Sequence, residues 1–241
     1  MTLPRRIIGP APVLIIADHA SNMVPDGVDL GIPPALLQDH IAIDIGTAAL
    51  AEALAMALDA TAIIATVSRL VLDLNRDPGE PSLIPVASDG HVIPGNLSLS
   101  SLERDLRRDA IHAPYHQTIA AEIAARPPAL ILSIHSFTPR LASVPAQARP
   151  WPVGLLHNKD SRAAALALPI LAARGLHVGD NEPYSGQTLN YTMDRHAEAN
   201  GLPYLGIEVR NDGLSDEAGV AQWCGIIADT THQVLRRLRQ S

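Results

Sequence analysis

Short apolar runs recur along the chain and are separated by stretches with helical spacing. Runs of about four to eight residues rich in valine, isoleucine and leucine are typical of strands buried on both faces of a parallel sheet. Such runs lie at 12–17, 61–67, 129–134, 153–156 and 204–209. The pattern therefore predicts a sheet with these five segments as strands.

Between these runs, apolar positions follow the three- and four-residue spacing of helices. Helices are predicted at 34–58, 101–126, 161–174 and 216–238. Pro114 is expected to kink or divide the second helix, because proline has no amide hydrogen to donate. Alternating strands and helices favour the α/β class, with a mainly parallel sheet and helices on both faces. We expect one domain over residues 1–241.

Two segments are predicted to be irregular. Residues 77–100 are dense in proline and glycine, and residues 137–152 are rich in proline and alanine. Long loops inside compact domains are usually functional covers. We therefore expect 77–100 to be a lid and 137–152 to lie at the same crevice.

Composition narrows the class of protein. Hydrophobic residues make up 47% of the 241, which excludes a disordered chain. The net charge of −7 argues against broad binding of a phosphate backbone, so no nucleic-acid partner is expected. The single cysteine, Cys224, cannot form an internal disulfide, and we predict a packing role for it.

The hydropathy pattern bears on location. No apolar run reaches the roughly eighteen residues that span a bilayer, and no membrane partner is expected. The first residues are not followed by an apolar segment long enough for a signal peptide. These features predict a cytoplasmic protein and leave its oligomeric state open.

Chemically competent side chains fall where the apolar runs stop. His19, His135 and Glu208 each come at the end of such a run. In open α/β sheets the ligand crevice lies beyond the carboxyl ends of the strands. Two histidines and a glutamate at that edge predict a metal-dependent hydrolase. The alternative is that each histidine only bonds the backbone of its loop.

Catalytic zinc usually has three protein ligands and a water. His19 and His135 are the predicted nitrogen ligands, and the third ligand is open. Three positions after His19 stands Asn22, whose neutral amide oxygen is a poor zinc donor. Asp44, set among isoleucines, needs a strong partner, since burying a carboxylate alone is costly. It is the other candidate, unless it caps a helix or forms a salt bridge.

Glu208 is the predicted general base. A carboxylate in a partly apolar crevice can have a pKa suited to proton transfer. It would take a proton from metal-bound water and pass it to the leaving nitrogen. An ion pair with Arg210 is the structural alternative.

Residues 68–77 alternate as an extended strand would, with a break at Asn75 and Arg76. Arginine grips carboxylates with a planar fork, so Arg69 and Arg76 predict an anionic small substrate. Arg–Asp pairs within the run are the structural alternative. His116, in a helical segment, is predicted to be a core or helix-face histidine.

Six motifs together resemble the N-formylglutamate amidohydrolase family over nearly the whole chain. They are Asp18-His-Ala-Ser-Asn22, Asp44-Ile-Gly46, Ser68-Arg-Leu-Val-Leu-Asp-Leu-Asn-Arg76, Ile134-His-Ser-Phe137, Asn181-Glu-Pro-Tyr184 and Ile207-Glu-Val-Arg210. The resemblance implies a three-layer α/β sandwich with a mainly parallel or mixed sheet, related to the zinc carboxypeptidase and aspartoacylase fold. Asn22 departs from the broader superfamily, which has a ligating glutamate there.

The resemblance also implies roles for single residues. His19 and His135 would bind Zn²⁺, Asn75 and Arg76 would hold the substrate carboxylate, and Glu208 would be the base. Three further residues are expected to contact substrate: Arg69, Ser136 and Arg210.

The function predicted from these observations is that of a zinc-dependent amidohydrolase. Its substrate would be a small anionic N-acyl amino acid such as N-formylglutamate, with a place in histidine catabolism. One alternative keeps the zinc chemistry with a peptide-like substrate, as in a carboxypeptidase or a cell-wall amidase. The other is a non-catalytic binder of small acidic metabolites that has lost tight metal binding through Asn22.

Overall fold

The computed structural model describes residues 2–240 and has a seven-stranded sheet at its centre. The strands of this sheet are β1 (Arg5–Ile7), β2 (Val13–Ala17), β3 (Thr61–Ile64), β6 (Leu130–Phe137), β7 (Val153–Leu156), β8 (Val178–Asp180) and β9 (Tyr204–Arg210). A separate hairpin consists of β4 (Ala87–Ser88) and β5 (His91–Val92).

The large sheet is mixed, with the strand order β1-β3-β2-β6-β9-β7-β8. Its four central strands, β3, β2, β6 and β9, are parallel. At one edge β1 runs antiparallel to β3, and at the other β7 runs antiparallel to β9 with β8 parallel to β7. The carboxyl ends of the four parallel strands therefore lie at the same end of the sheet.

Helices cover both faces of the sheet. They are α1 (Thr47–Leu58), α2 (Pro94–Leu97), α3 (Ser101–Arg107), α4 (Ala113–Ala125), α5 (Arg162–Ala172), α6 (Tyr191–His196) and α7 (Glu217–Leu238). Short 3₁₀ turns lie at Pro34–Gln38, Pro81–Leu83, Glu198–Asn200 and Asn211–Leu214. No helix within residues 2–240 is long and apolar enough to cross a membrane.

Two apolar cores sandwich the sheet, one on each face. The first packs α1, α5 and α7 against residues such as Ile15 and Ile207. The second packs α4, α6 and several loops against the opposite face, where Ile16 and Ile131 project. Successive residues of a strand point to opposite faces, which explains why neighbours in β2 belong to different cores. The three-layer α/β prediction, with a mixed sheet, is confirmed.

The five predicted strands are present, but two of them are longer than the apolar runs. β6 continues to Phe137 and β9 to Arg210. His135 and Glu208 therefore lie within the last residues of strands, not after them. The edge strands β1 and β8 were not predicted, since neither is a long apolar run.

The prediction of a strand over 68–77 is wrong. The segment is wound into turns that its own side chains stabilise: the Ser68 hydroxyl accepts from the amide of Leu70, and Asp73 Oδ1 accepts from the amide of Asn75. The amide of Asp73 donates to the carbonyl of Leu83, outside any sheet. Side chains that bond nearby backbone favour turns over strands, and here they outweigh the alternating pattern.

The continuous helix predicted over 34–58 is also wrong, because residues 39–46 between the 3₁₀ turn and α1 are irregular. α1 starts after Gly46, whose φ of +83° is unfavourable for other residues. A Cβ at this glycine would lie 2.4 Å from Cβ of Leu214. The start of α1 therefore packs closely against the 3₁₀ turn that follows β9.

The division predicted at Pro114 is confirmed. A single π-turn, Arg108–His112, separates α3 from α4 and ends two residues before the proline. The amide of Ala113 donates to the carbonyl of Arg108.

Regular structure occurs within 77–100, contrary to the expectation that it has none. The segment contains a 3₁₀ turn, the β4–β5 hairpin and α2. Residues 138–152 have no helix or strand, as predicted.

Candidate active site

A cavity of about 240 Å³ lies at the carboxyl ends of β2, β6 and β9. His135 and Glu208 are register partners on neighbouring parallel strands, so their side chains project from the same face. The predicted site residues in the cavity wall are His19, Asp44, Arg69, Asn75, Arg76, His135, Ser136 and Glu208.

A cluster of three possible metal ligands lies in this wall. His19, Asp44 and His135 are buried, and one ligand atom of each lies within 4.8 Å of the others. Asp44 Oδ2 is 2.8 Å from Nδ1 of His135 and 3.3 Å from Nδ1 of His19. Two imidazole nitrogens and a carboxylate oxygen match in number and kind the protein ligands of catalytic zinc.

Backbone hydrogen bonds hold Asp44 against the sheet, although it lies on a loop. Its amide donates to the carbonyl of His19 at 3.0 Å. The Ser136 hydroxyl donates to the carbonyl of Ile45 at 2.8 Å, and the Thr47 hydroxyl donates to that of Asp44 at 2.6 Å. The loop is thus attached to β2, β6 and α1 at once.

The outer ring nitrogens of both histidines face carboxylates. Nε2 of His19 lies 2.7 Å from Asp73 Oδ1, and Nε2 of His135 lies 3.7 Å from Asp18 Oδ2. Histidines that bind metals generally donate their second N–H to such a group, which fixes the tautomer and the ring orientation. The arrangement leaves Nδ1 of both rings for a cation.

The charges in this cluster favour a cation between the two rings. Burial alone would lower the pKa of His135, but its hydrogen bond to Asp44 and the charges of Asp44 and Glu208 raise that pKa to about 9. Burial also disfavours the charged form of His19, yet neighbouring carboxylates raise its pKa. Burial would raise the pKa of Asp44, but the charges of His19 and Arg69 hold it well below its usual range. A metal ion would replace the protons of these histidines.

Glu208 is buried beside this cluster. Its Oε2 has no hydrogen-bond partner within residues 2–240. Burial raises the pKa of Glu208 to about 7, against the opposing charge of His135. The alternative ion pair with Arg210 is not formed, because Arg210 Nε donates to Asp212 Oδ1 at 2.9 Å. The carboxylate can therefore exchange a proton near neutral pH.

Arg69 is occupied by two carboxylates of the protein. One terminal nitrogen donates to Asp44 at 2.9 Å and the other to Asp73 at 2.8 Å. The structural alternative for this arginine, an Arg–Asp pair, is thus what the structure shows. Its charge offsets those of Asp44 and Asp73, so both ends of the guanidinium are engaged by the protein and are not free for the substrate carboxylate that the sequence predicts there.

Asn75 and Arg76 line the cavity with polar groups directed by their surroundings. Asn75 Oδ1 accepts from the amide of Thr192 at 2.9 Å, which leaves the Nδ2 hydrogens to donate. Arg76 has no carboxylate within 4.0 Å among residues 2–240; its terminal nitrogen donates to the carbonyl of Asn75. Asn75 and Arg76 together are called the arm below. Its amide and guanidinium hydrogens can bind an anion.

Two predicted site residues are not brought to the cavity wall. Asn22 is half-buried, and the chain turns away at this point, where Met23 bonds to Ser21 and Ser68. Arg210, the last residue of β9, pairs with Asp212 beyond the cavity. Asp44 therefore has the position expected of a third ligand, and Asn22 does not.

Tyr184, which the sequence places in the Asn181-Glu-Pro-Tyr184 motif without a role of its own, lines the cavity with its ring. Its hydroxyl accepts from Arg149 at 3.0 Å, and the guanidinium lies 4.8 Å from the ring centroid. Arg149 is 5% exposed and has no carboxylate within 4.0 Å among residues 2–240. The sequence feature that could have identified Tyr184 is the turn around Asn181, but its residue types are equally common in ordinary loops.

Two loops meet at the cavity rim. Asp89, in the β4–β5 hairpin, accepts from the amides of Ala142 and Ser143 at 2.9 Å and 2.8 Å. It also accepts from the Ser143 hydroxyl, and its Oδ2 lies 3.0 Å from His40 Nε2. Burial would raise the pKa of Asp89, but the hydrogen bonds that Ser143 donates to its carboxylate help to lower that pKa to about 2. The segment predicted as a lid is thus joined to 138–152; its opening stays a prediction.

Comparison with known proteins identifies the family. The family model for N-formylglutamate amidohydrolase matches residues 11–215. A crystal structure of a gene product of Agrobacterium tumefaciens is 32% identical, with a TM-score of 0.94, over 99% of this chain and 97% of the other. An N-formylglutamate amidohydrolase of Ralstonia eutropha JMP134 shares the fold, with 18% identity and a TM-score of 0.71 over 100% and 99% of the two chains. None of the curated proteins matches. The chain belongs to the N-formylglutamate amidohydrolase family.

Proposed function

We propose that the protein is a zinc-dependent hydrolase that removes the formyl group from the nitrogen of an acidic amino acid, with N-formylglutamate as the first substrate to test. The observation that supports it most is the placement of the His19, Asp44 and His135 cluster directly beside the buried Glu208. Family membership supports the amide as the bond that is cleaved.

The donor set supports zinc as the metal. Two neutral imidazoles and one carboxylate are ligands that zinc prefers, and the Asp73 carboxylate orients the outer nitrogen of His19. Zinc bound by three protein ligands supplies Lewis acidity and lowers the pKa of a bound water.

Glu208 is proposed to move the proton. Its carboxylate accepts a proton from water as the water oxygen bonds to the formyl carbon. It then gives that proton to the amide nitrogen as the C–N bond breaks, so that formic acid and a free amine result, and the amine takes up the acid's proton to leave formate and an ammonium group. Burial, which raises the pKa of Glu208, supports both steps, because it makes protonation of this carboxylate less costly than that of an exposed glutamate.

The arm is proposed to bind a carboxylate of the substrate. Arg76 presents a guanidinium with no carboxylate partner within residues 2–240, and Asn75 presents amide hydrogens. Charge-assisted contacts of this kind favour an anion over its ester.

Zinc content and turnover measured on the same preparation test the proposal. We expect about one zinc per chain and hydrolysis of N-formylglutamate by the wild type. H135A should lose both, because two ligands do not retain zinc. H177A, which removes an exposed histidine away from the cavity, is the matched control and should keep both.

Two results would contradict the proposal. One equivalent of zinc in H135A would show that the metal binds elsewhere. Stoichiometric zinc in the wild type without turnover of any N-acyl amino acid would refute the reaction, and binding of free glutamate without zinc would favour the non-catalytic binder.

A further inference from the structure

Two buried histidines outside the metal cluster hold the backbone of the arm. Nε2 of His116 lies 2.9 Å from the carbonyl oxygen of Leu74, and Nε2 of His112 lies 3.1 Å from that of Arg76. Both rings come from the helical segment that contains the π-turn and α4. The carbonyls just before and within the arm are thus bound from behind, on the side away from the cavity.

A third histidine fixes the proton of His116. Nδ1 of His116 lies 2.9 Å from Nε2 of His196, and the two rings stack with centroids 5.1 Å apart. A carbonyl oxygen only accepts, so His116 carries its hydrogen on Nε2. Nδ1 must then accept, and His196 donates to it. The three groups form a directed chain from His196 through His116 to the carbonyl of Leu74.

The neighbouring contacts extend this chain to the metal cluster. Asp73 Oδ1 accepts from the amide of Asn75 at 2.9 Å and lies 2.7 Å from Nε2 of His19. The amide of Thr192, in α6, donates to the side chain of Asn75. The arm is therefore held by His116 of α4, by Thr192 of α6 and by the carboxylate of Asp73. Because Asp73 also contacts His19, the distance between the arm and this candidate ligand is fixed.

We propose that His116, with His196 behind it, is a positioning residue that sets the affinity of the arm for the substrate carboxylate without touching substrate. This rests on the proposed function only in taking the arm as the carboxylate site. Without the His116 hydrogen, the carbonyl of Leu74 has only a 3.5 Å contact to the Thr192 hydroxyl, and the arm can turn away from the cavity.

A pair of variants tests this. H116M fills the space but has no hydrogen to donate, whereas H116Q places an amide N–H at a similar reach. With N-formylglutamate as substrate, H116M should raise KM about tenfold, the size expected for a poorly placed charge-assisted contact, and change kcat less than about twofold. H116Q should restore most of the loss.

The dimethyl ester of N-formylglutamate separates positioning from general damage. Its KM should be the same in H116M and in the wild type, because it offers no carboxylate to the arm. An equal rise in KM for acid and ester, or equal KM values for H116M and H116Q with the acid, would overturn the proposal. If H116M does not fold, H112M, which frees the carbonyl of Arg76, takes its place with the same expected outcome.

A measurement that needs no turnover keeps this test independent of the proposed reaction. Calorimetric titration with free glutamate should show about tenfold weaker binding in H116M than in the wild type. Hydrogen exchange should be faster at the amides of residues 74–77 in H116M only. Unchanged glutamate affinity in H116M would refute the inference even if the wild type hydrolyses no formylated amino acid.

Discussion

Glu208 combines two properties that seldom occur together in one carboxylate. It is 6% exposed, and one of its oxygens has no hydrogen-bond partner within residues 2–240. A buried, unpaired carboxylate is destabilising when charged, which is why its pKa is raised to about 7. Such a group is unfavourable for stability and suited to proton transfer.

The E208Q variant should therefore keep fold and metal but lose turnover. Glutamine has the same size yet cannot accept a proton, so we expect hydrolysis to fall by roughly a hundredfold or more. Zinc content and the thermal unfolding midpoint should stay near wild-type values. E217Q, at an exposed position in the first turn of α7, is the control. Loss of zinc in E208Q would make Glu208 a ligand instead.

Asp73 contacts three groups at once: His19, Arg69 and the amide of Asn75. In D73N the amide group would not replace the charge that orients His19, so retention of zinc against a chelator should weaken by roughly 10–100-fold. D77N changes an exposed aspartate four residues away and should have no effect. Equal zinc retention in D73N and the wild type would show that His19 needs no carboxylate behind it.

The sequence predicts the position of a site residue where that position depends on nearby residues, and not where it depends on contacts that are distant along the chain. His19, His135 and Glu208 were found from the sequence because each position depends only on where an apolar run stops. The contacts of Asp73 depend on turns over 68–77, which a local pattern of alternation described wrongly. The position of Asp44 beside the two histidines depends on residues 39–46 folding back on the residue pair that follows β2, which no local signal shows.

At the scale of elements, the loop that carries Tyr184 is held by backbone contacts with β7 and β8. A Cβ added at Gly154 would lie 2.0 Å from the carbonyl oxygen of Glu182, and one at Gly179 would lie 2.3 Å from it. Distances below 3.0 Å to a backbone atom cannot be relieved by moving a side chain. The loop therefore packs directly on two strands.

The G154A variant should destabilise the protein by about 1–3 kcal/mol, as overpacking does. G225A is a matched control in the interior of α7, where an added Cβ meets nothing within 4 Å, and should stabilise by about 0.5–1 kcal/mol. Urea unfolding of both variants and the wild type measures the difference. A loss of less than 0.5 kcal/mol in G154A would show that the loop shifts without cost.

Element prediction succeeded where burial is complete and failed at edges. β2, β6 and β9 are apolar along most of their length, so their sequences identify them. β1 and β8 have three residues each, and their pairing at the sheet edge depends on neighbours that are distant in sequence. The antiparallel direction of β7 could not be read from residues 153–156 for the same reason.

At the scale of the whole molecule, burial lowers the pKa of three histidines in the helical segment and α6 behind the arm: His112, His116 and His196. The pKa of His196 is lowered to about 4, with the charge of Arg195 adding to the effect of burial. In the unfolded chain the ordinary value is about 6.5. Between these two values the unfolded state binds more protons, so the stability that these groups contribute is lost as the pH falls.

Replacing His196 should remove part of this acid sensitivity. H196Q keeps an N–H that can reach His116 but does not titrate. Relative to the wild type, its free energy of unfolding should rise as the pH falls from about 6.5 to about 4, by at most about 1.4 kcal/mol per pH unit. Urea unfolding of both proteins in chelator at several pH values provides the comparison. Parallel pH profiles would show that His196 is charged in the folded protein.

The glycine contacts behind Tyr184 also limit how this protein can evolve. A wall made of backbone has no side chain to exchange, so substitutions at Gly154 or Gly179 would displace the wall and could not reshape it gradually. The opposite rim is different, because the side chains of Ala142 and Val144 are exposed and Ala142 contacts Asp89 only through its backbone amide, so their replacement costs little. Sequence change around this cavity is therefore expected at the exposed rim residues, and Gly154 and Gly179 behind Tyr184 are expected to stay glycine.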